Sequence, residues 1–239
     1  MLIYRLPLEI SLFNPKRSIC TSCHTQIKWY ENIPLLSYIF LKSKCSNCNN
    51  QISIIYPMVE LLSAFVTLFL FFKLGLSSDF IIVSLLFYTL IILSFIDFRY
   101  KAVPDYLLII PLTISLFIYD YSFQNMLIFA GAFVLLELFV TYYIQNIKSK
   151  ITKNEELKNQ KAMGEGDIPI AAIIGGILGV KLGIIAIFLG ALFAIIPSLI
   201  NIIIKKDIET PFIPFLTLGL FTVYFFDTFW LNLLERLIF

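Results

Sequence analysis

From Tyr56 onward the chain is a series of long apolar runs separated by short polar breaks, whereas the segment before it is mixed in character. Seven runs stand out, at about 57–73, 80–96, 105–119, 125–146, 168–180, 183–204 and 211–227. They are continuous rather than alternating, so they predict helices and not barrel strands. A hydrocarbon core near 30 Å takes about 20 helical residues. The runs at 105–119 and 168–180 are short for that, as suits segments that take in adjacent polar residues or line a cavity enclosed by protein. The pattern therefore predicts an all-α polytopic membrane protein. It has about seven transmembrane helices over 57–239 and a small cytoplasmic domain over 1–56. The closing stretch from Leu231 to Phe239 reads as an amphipathic tail at the membrane interface.

Composition agrees with that solvent. Of the 239 residues, 59% are hydrophobic and 14% charged, against roughly 45–50% and about 25% in soluble chains. Mean hydropathy is +0.88. A disordered chain would be poor in apolar residues, and four Cys are too few for a disulfide-stapled secreted domain. The net charge of +2 says little, but its placement decides the orientation. With the N-terminal segment inside and seven alternating spans, 15 of the 18 Lys and Arg fall on the inner side. Lys73, Lys181 and Arg236 fall outside. That bias places the N-terminal domain in the cytoplasm. The opening MLIYRLPLEI has neither the basic start nor the sustained apolar stretch of a cleavable signal peptide, and the chain has no tandem repeat of fixed period.

Two clusters of residues point to chemistry. The first is Cys20-Thr-Ser-Cys23 followed by Cys45-Ser-Asn-Cys48. Each Cys-x-x-Cys turn presents two thiolates to one ion, and two such turns complete the four ligands of a structural zinc. A pair of disulfides is disfavoured in a reducing cytoplasm. Cys20-Thr-Ser-Cys23-His24 also matches a c-type haem attachment site, but that reading leaves Cys45 and Cys48 unused, and His24 is expected on the surface beside its turn.

The second cluster is Asp97, at the cytoplasmic end of the second run, with Asp167, at the cytoplasmic start of the fifth. A carboxylate at membrane depth is costly to keep charged and so is a functional candidate by default. Topology brings both to the same membrane face. Gly164 and Gly166 let the backbone beside Asp167 approach a partner closely. Two neighbouring carboxylates share a proton, so one can act as base towards water while the other donates to the scissile group. That is aspartyl protease chemistry at a membrane boundary. Asp79, Asp105 and Asp207 are read instead as helix caps or dipole partners.

The sequence resembles the prepilin peptidases, or type IV leader peptidases, over nearly its whole length. The likeness rests on Ile3-Tyr-Arg-Leu-Pro7, the paired Cys turns, Trp29-Tyr-Glu-Asn-Ile-Pro-Leu-Leu-Ser-Tyr38 and Tyr56-Pro-Met-Val-Glu60. It continues through Ile96-Asp97, Pro104-Asp105, Met163-Gly-Glu-Gly-Asp167 and Pro211-Phe-Ile-Pro-Phe215, followed by Gly219. The resemblance implies that Asp97 and Asp167 are the catalytic aspartates, Asp167 being that of the GxGD motif. It also implies cleavage of basic leaders from prepilins or pseudopilins at the cytoplasmic face of the bacterial inner membrane. Many members then methylate the new N-terminus with S-adenosylmethionine. The implied partners are these substrates and the lipid bilayer, with no nucleic acid.

Three departures stand out. The family usually has a further helix ahead of the Tyr-Arg-Leu-Pro segment, so seven spans are expected in this sequence, with the eighth either upstream of it or absent from a shortened form. Ile55 stands where Arg is common before Tyr-Pro, and Ile168-Pro169 follows Asp167 where Lys is common.

Glu60, at the entry to the first run, reads as a carboxylate at a helix start, with a part in methyl transfer as the sharper alternative. Glu137 lies within the fourth run, where it needs a partner or a cavity. Gly175, Gly179 and Gly183 recur every four residues, which predicts close helix packing. The competing function from another class is a non-enzymatic membrane scaffold whose zinc domain docks a partner.

Overall fold

The computed structural model describes residues 19–20, 22–152, 155, 164, 166–203 and 210–238. Several predicted features lie outside them: the Tyr-Arg-Leu-Pro segment, Met163 and Glu165 of the glycine motif, Asp207, and the basic residues Arg5, Lys16, Arg17, Lys153, Lys158, Lys161, Lys205 and Lys206. The chain divides into two compact units, 1–80 and 81–239.

Among the described residues every regular element is helical, and no strand forms beyond two isolated bridges. In the first unit, a 3-10 turn at Trp29–Asn32 and the short helix α1 (Leu36–Phe40) follow the first Cys turn. Helix α2 (Ile55–Leu74) carries Pro57 in its first turn, where a missing N–H costs nothing. It ends at Gly75, whose φ of 62° stops the helix while its N–H still bonds Phe71. Helix α3 (Ser78–Tyr100) starts at the end of this unit, with the Ser77 hydroxyl accepting the Phe80 N–H at 3.1 Å, and from Ile81 onward belongs to the second unit.

In the second unit, α4 (Asp105–Ser115) begins after Pro104, and α5 (Phe123–Tyr142) after Ser122, whose hydroxyl accepts the Asn125 N–H. Helix α5 runs on through a π-helical stretch, Tyr143–Lys148, into a last turn, Ser149–Thr152. Helices α6 (Asp167–Ile203), α7 (Ile213–Phe225) and α8 (Asp227–Ile238) complete the unit.

Each of the seven apolar runs overlaps a helix among the described residues, the run at 105–119 only as far as Ser115. Among the described residues, four helices are long and apolar enough to cross a membrane, or five if the bent pair α7–α8 is one span. Helix α4 is apolar but short. The runs at 168–180 and 183–204 belong to one helix, α6, broken at Gly179. There φ is +70° and ψ is −176°, a conformation open essentially to glycine alone. The glycine stripe is thus a packing stripe interrupted by a bend. Gly175 and Gly183 close around the ring of Phe129 on α5, and Gly179 makes the break. The run at 211–227 stops at Phe225, after which α8 turns away by 83°. Helix α8 is amphipathic, as its sequence predicted.

The core of the second unit joins the first half of α6 to α3 and α7, where Leu86, Leu90, Ile96, Leu216 and Leu220 are fully buried. Ile170, Ala171, Ile173 and Ile174 are fully buried. The second half of α6 packs on α7 at backbone range. A Cβ at Gly219 would collide with the Ala186 carbonyl oxygen, and one at Gly190 would lie 2.9 Å from the Phe215 carbonyl oxygen. Many remaining apolar side chains, including Phe139 on α5 and Phe188 on α6, face outward, as expected of helices whose surroundings are lipid.

Candidate active site and candidate metal centre

Asp97 sits one turn before the end of α3 and is 7% exposed. Its carbonyl accepts the Lys101 N–H at 2.8 Å, and Lys101 leaves the helix with φ 52°. Its carboxylate faces the start of α7, where the Ile213 N–H donates to Oδ2 at 3.1 Å. Helix N-termini present N–H groups without intrahelical partners and a partial positive charge. Asp97 therefore closes the open end of a helix 116 positions away. Pro214 follows, and it has no N–H to leave unpaired.

Asp167 is the first residue of α6 and is 5% exposed. Its N–H bonds the Gly164 carbonyl at 3.1 Å, which folds the glycine turn back onto the carboxylate. A Cβ at Gly164 would stand 3.7 Å from Asp167 Oδ2. One at Gly166 would stand 3.0 Å from Ile213 Cδ1 and 3.5 Å from Leu108 Cδ1. Gly166 is small because Ile213, the residue that holds Asp97, lies directly against it. The two aspartates are thus tied through one contact chain, Asp97 to Ile213 to Gly166 to Asp167. Asp97 also acts electrostatically on Asp167, as does Glu137 to a lesser degree. The sequence had marked both aspartates and the glycines. It had not marked the Ile213 amide, whose only trace was the proline-flanked segment 211–215. Asp105 proves to be the opening residue of α4 with Pro104 in the cap position, so it serves the helix dipole and not a cap.

In the first unit the four Cys come together, with Sγ atoms all within 4.8 Å of one another. Cys20 and Cys48 are 3.8 Å apart, and Cys23 and Cys45 are 4.0 Å apart. A tetrahedral ion with Zn–S bonds of about 2.3 Å requires sulfur–sulfur edges of about 3.8 Å, so the donor set and its size fit zinc. None of the four forms a disulfide. The two turns are near copies. In the first, the Cys20 N–H bonds the Thr25 carbonyl at 3.0 Å and Ile19 bridges Gln26. In the second, the Cys45 N–H bonds the Asn50 carbonyl at 2.9 Å and Lys44 bridges Gln51. His24 and Asn49 occupy equivalent positions with φ of 55° and 57°. His24 is therefore the exposed turn residue of its knuckle and stands outside the Cys cluster. The Thr25 hydroxyl and amide hold the Cys23 thiol down to about 5, and the amides of Cys48 and Asn47 hold Cys45 down as well. Those two are thus favoured as thiolates, the form that binds metal, whereas Cys48, against the pull of the Asn50 amide, is pushed up to about 12 by loss of solvent and the neighbouring thiols.

Glu60, at the start of α2, accepts the Leu35 N–H on Oε2 at 2.8 Å. Leu35 has φ 58°, rare for a residue with a side chain, and the Glu60 contact helps to hold it there.

Residues 1–74 match the Bacterial Peptidase A24 N-terminal domain, and residues 84–199 match the Type IV leader peptidase family. A protein of Vibrio cholerae named prepilin leader peptidase/N-methyltransferase is 33% identical over 76% of this chain and 72% of its own length. This chain belongs to the type IV leader peptidase family. It is an enzyme of that family. Relatives of the same name occur in Legionella pneumophila, 30% identical over 92% of this chain and 76% of theirs, and in Bacillus subtilis, 29% identical over 93% and 86%. No solved structure matches the chain.

Proposed function

We propose that this leader peptidase is an aspartyl endopeptidase of the bacterial inner membrane, cutting basic leaders from prepilins or pseudopilins at the cytoplasmic face. The observation that supports the reading is the burial of Asp97 and Asp167 in one unit, with Asp97 acting electrostatically on Asp167, and with Ile213 bonded to Asp97 and lying against Gly166 beside Asp167. With a single proton between them, the ionised carboxylate takes a proton from water as it attacks the scissile carbonyl. The protonated one donates to the carbonyl oxygen. When the resulting diol collapses, the proton taken from water passes to the leaving amine, and a diol hydroxyl returns its proton to the other carboxylate, so one shared proton is restored. The Ile213 N–H keeps the Asp97 carboxylate oriented throughout. Burial keeps bulk water from competing with that proton exchange.

The same reading assigns residues 1–56 to a cytoplasmic zinc domain and 57–239 to a seven-span peptidase domain, with the basic residues inside. Cys20, Cys23, Cys45 and Cys48 hold the zinc, which fixes the two knuckles and leaves no position for water. The enzyme also methylates the new N-terminus, with S-adenosylmethionine supplying an electrophilic methyl group when bound. The relatives' shared name supports this second activity.

Purified protein in nanodiscs is incubated with a peptide carrying a basic leader and an apolar pilin start, and products are read by mass spectrometry. Cleavage by wild type and none by Asp97→Asn or Asp167→Asn is the expected result. Wild-type rates in either variant overturn the assignment.

A further inference from the structure

Helix α1 is amphipathic with its faces reversed. Ser37 and Tyr38 turn inward and line a cleft of the first unit, while Leu36, Ile39 and Phe40 are exposed, Phe40 at 80%. Spacings of three and four residues put those three on one face of the helix. The 3-10 turn ahead of it adds Trp29, 81% exposed, and Tyr30, and Ile33 between the two elements is exposed as well. A helix on a water-facing domain does the opposite, burying its apolar stripe and showing its polar one. An exposed apolar patch of this kind marks an interaction surface.

We infer that this face of the first unit lies on the bilayer, seated where lipid headgroups meet acyl chains on the side where α2 begins. The small domain is then held flat against the membrane surface, which goes beyond the peptidase reading and does not depend on it.

Three observations choose lipid as the occupant. The first is the kind of side chain. Trp and Tyr rings beside Lys are the anchor set of a membrane interface, because each has an apolar body and a polar tip. Here Trp29 and Tyr30 meet edge to face at 5.8 Å, and the Lys28 ammonium lies over the Tyr30 ring at 5.7 Å. The second is charge. Lys28 precedes the patch, and Lys42 and Lys44 follow it, all three exposed, while Glu31 is the one acid between residues 28 and 44. Basic residues at both ends of an apolar face suit anionic lipid headgroups.

The third is the tether. The Leu35 N–H, at the start of α1, donates to Glu60 Oε2 on α2 at 2.8 Å. Beyond the other end of α1, the Ser43 carbonyl accepts the Ile52 N–H at 2.7 Å, and the Tyr38 hydroxyl donates to the Ile52 carbonyl at 3.4 Å. Helix α1 is thus strapped at both ends to the chain that enters α2. Helix α2 is one of the helices long and apolar enough to cross a membrane, and its own exposed apolar side chains begin at Ile54 and Met58. A helix strapped to that entry point sits at the depth where headgroups are.

The test reads Trp29 by fluorescence. The chain has two Trp, so Trp230→Phe leaves Trp29 as the sole indole. The full chain is reconstituted in vesicles of phosphatidylcholine and phosphatidylglycerol, with bromines carried either near the headgroup end or near the methyl end of the acyl chains. Bromines near the headgroup are expected to quench Trp29 more strongly than deep ones, and aqueous acrylamide is expected to quench it weakly. Free quenching by acrylamide with none by either bromolipid means that the face meets water, and overturns the inference. Resistance to all three quenchers means that protein covers it, and overturns the inference equally. Replacing Lys28, Lys42 and Lys44 by Gln should abolish any gain in shallow quenching that phosphatidylglycerol gives over phosphatidylcholine alone. An undiminished gain overturns the part given to the lysines. A second measurement uses wild type and needs no variant to fold: a phospholipid carrying a carbene precursor beside its headgroup is photolysed in the same vesicles. Label on the peptide spanning residues 28–42 supports the seat, and label confined to the apolar helices overturns it.

Discussion

The backbone N–H of Ile213 spans 116 positions of sequence to donate to Asp97 Oδ2 at 3.1 Å. Through it the end of α3 and the start of α7 are held in register. Replacing Asp97 by Asn keeps an acceptor oxygen for that N–H and removes the acid–base function. Leader cleavage is therefore expected to fall by at least about 10²–10⁴-fold, the usual contribution of a positioned acid or base. The thermal midpoint should stay near that of wild type, because the hydrogen bond survives. A peptide cleavage assay beside a melting curve checks both halves.

Gly166 lies against Ile213 Cδ1 and Leu108 Cδ1, and Ile213 is itself buried. Gly166→Val must push on the residue that holds Asp97. Overpacking of a tight core costs about 1–3 kcal/mol, and here the displacement falls on the proposed catalytic pair. The expected outcome is a loss of cleavage larger than the loss of stability accounts for. Gly164→Ala, whose Cβ meets Asp167 Oδ2 at an ordinary 3.7 Å, should be the milder change in the same assay.

Gly179 breaks α6 with a backbone conformation that side chains resist. Gly179→Ala is expected to destabilise the chain by about 1–3 kcal/mol, read as a lowered melting point in detergent. If the variant instead melts higher, α6 has straightened, and the contacts of Phe129 with Gly175 and Gly183 should then be lost.

The Cys cluster predicts about one zinc per chain by elemental analysis. Cys20→Ser or Cys45→Ser should remove it, and a strong chelator should do the same to wild type. Metal loss leaves the two knuckles joined only by polar contacts such as Asn47 Nδ2 to Thr25 Oγ1 at 2.9 Å and Asn50 Nδ2 to Ser22 Oγ, and should raise proteolysis within residues 19–51 first. Unchanged zinc content in both variants would exclude the four-thiolate site.

Much of the fold was legible because it depends on local pattern. Apolar runs long enough for helices, Cys-x-x-Cys turns and a carboxylate beside paired glycines each declare themselves within a few residues. What escaped depends on backbone geometry. The Ile213 amide has no side-chain signature, since every residue but proline carries the same N–H. The break at Gly179 looked like one member of a four-residue stripe, because spacing reports which glycines share a face and not which of them leaves the helix. The likeness of the two Cys turns was hidden because His24 and Asn49 share a backbone conformation and little chemistry. Glu60 was noticed in the sequence, but its bond to Leu35 depends on a loop conformation that no periodicity predicts.

The seam where Gly219 meets the Ala186 carbonyl sets a datum for the end of α7 that faces Asp97. From Gly219 to Ile213 is less than two helical turns, about 9 Å along the axis. Over so short a lever, sliding of α7 against α6 would reach the Ile213 amide almost undiminished. A side chain at position 219, far from Asp97 and Asp167, would thus disturb both by lifting one helix off its rail.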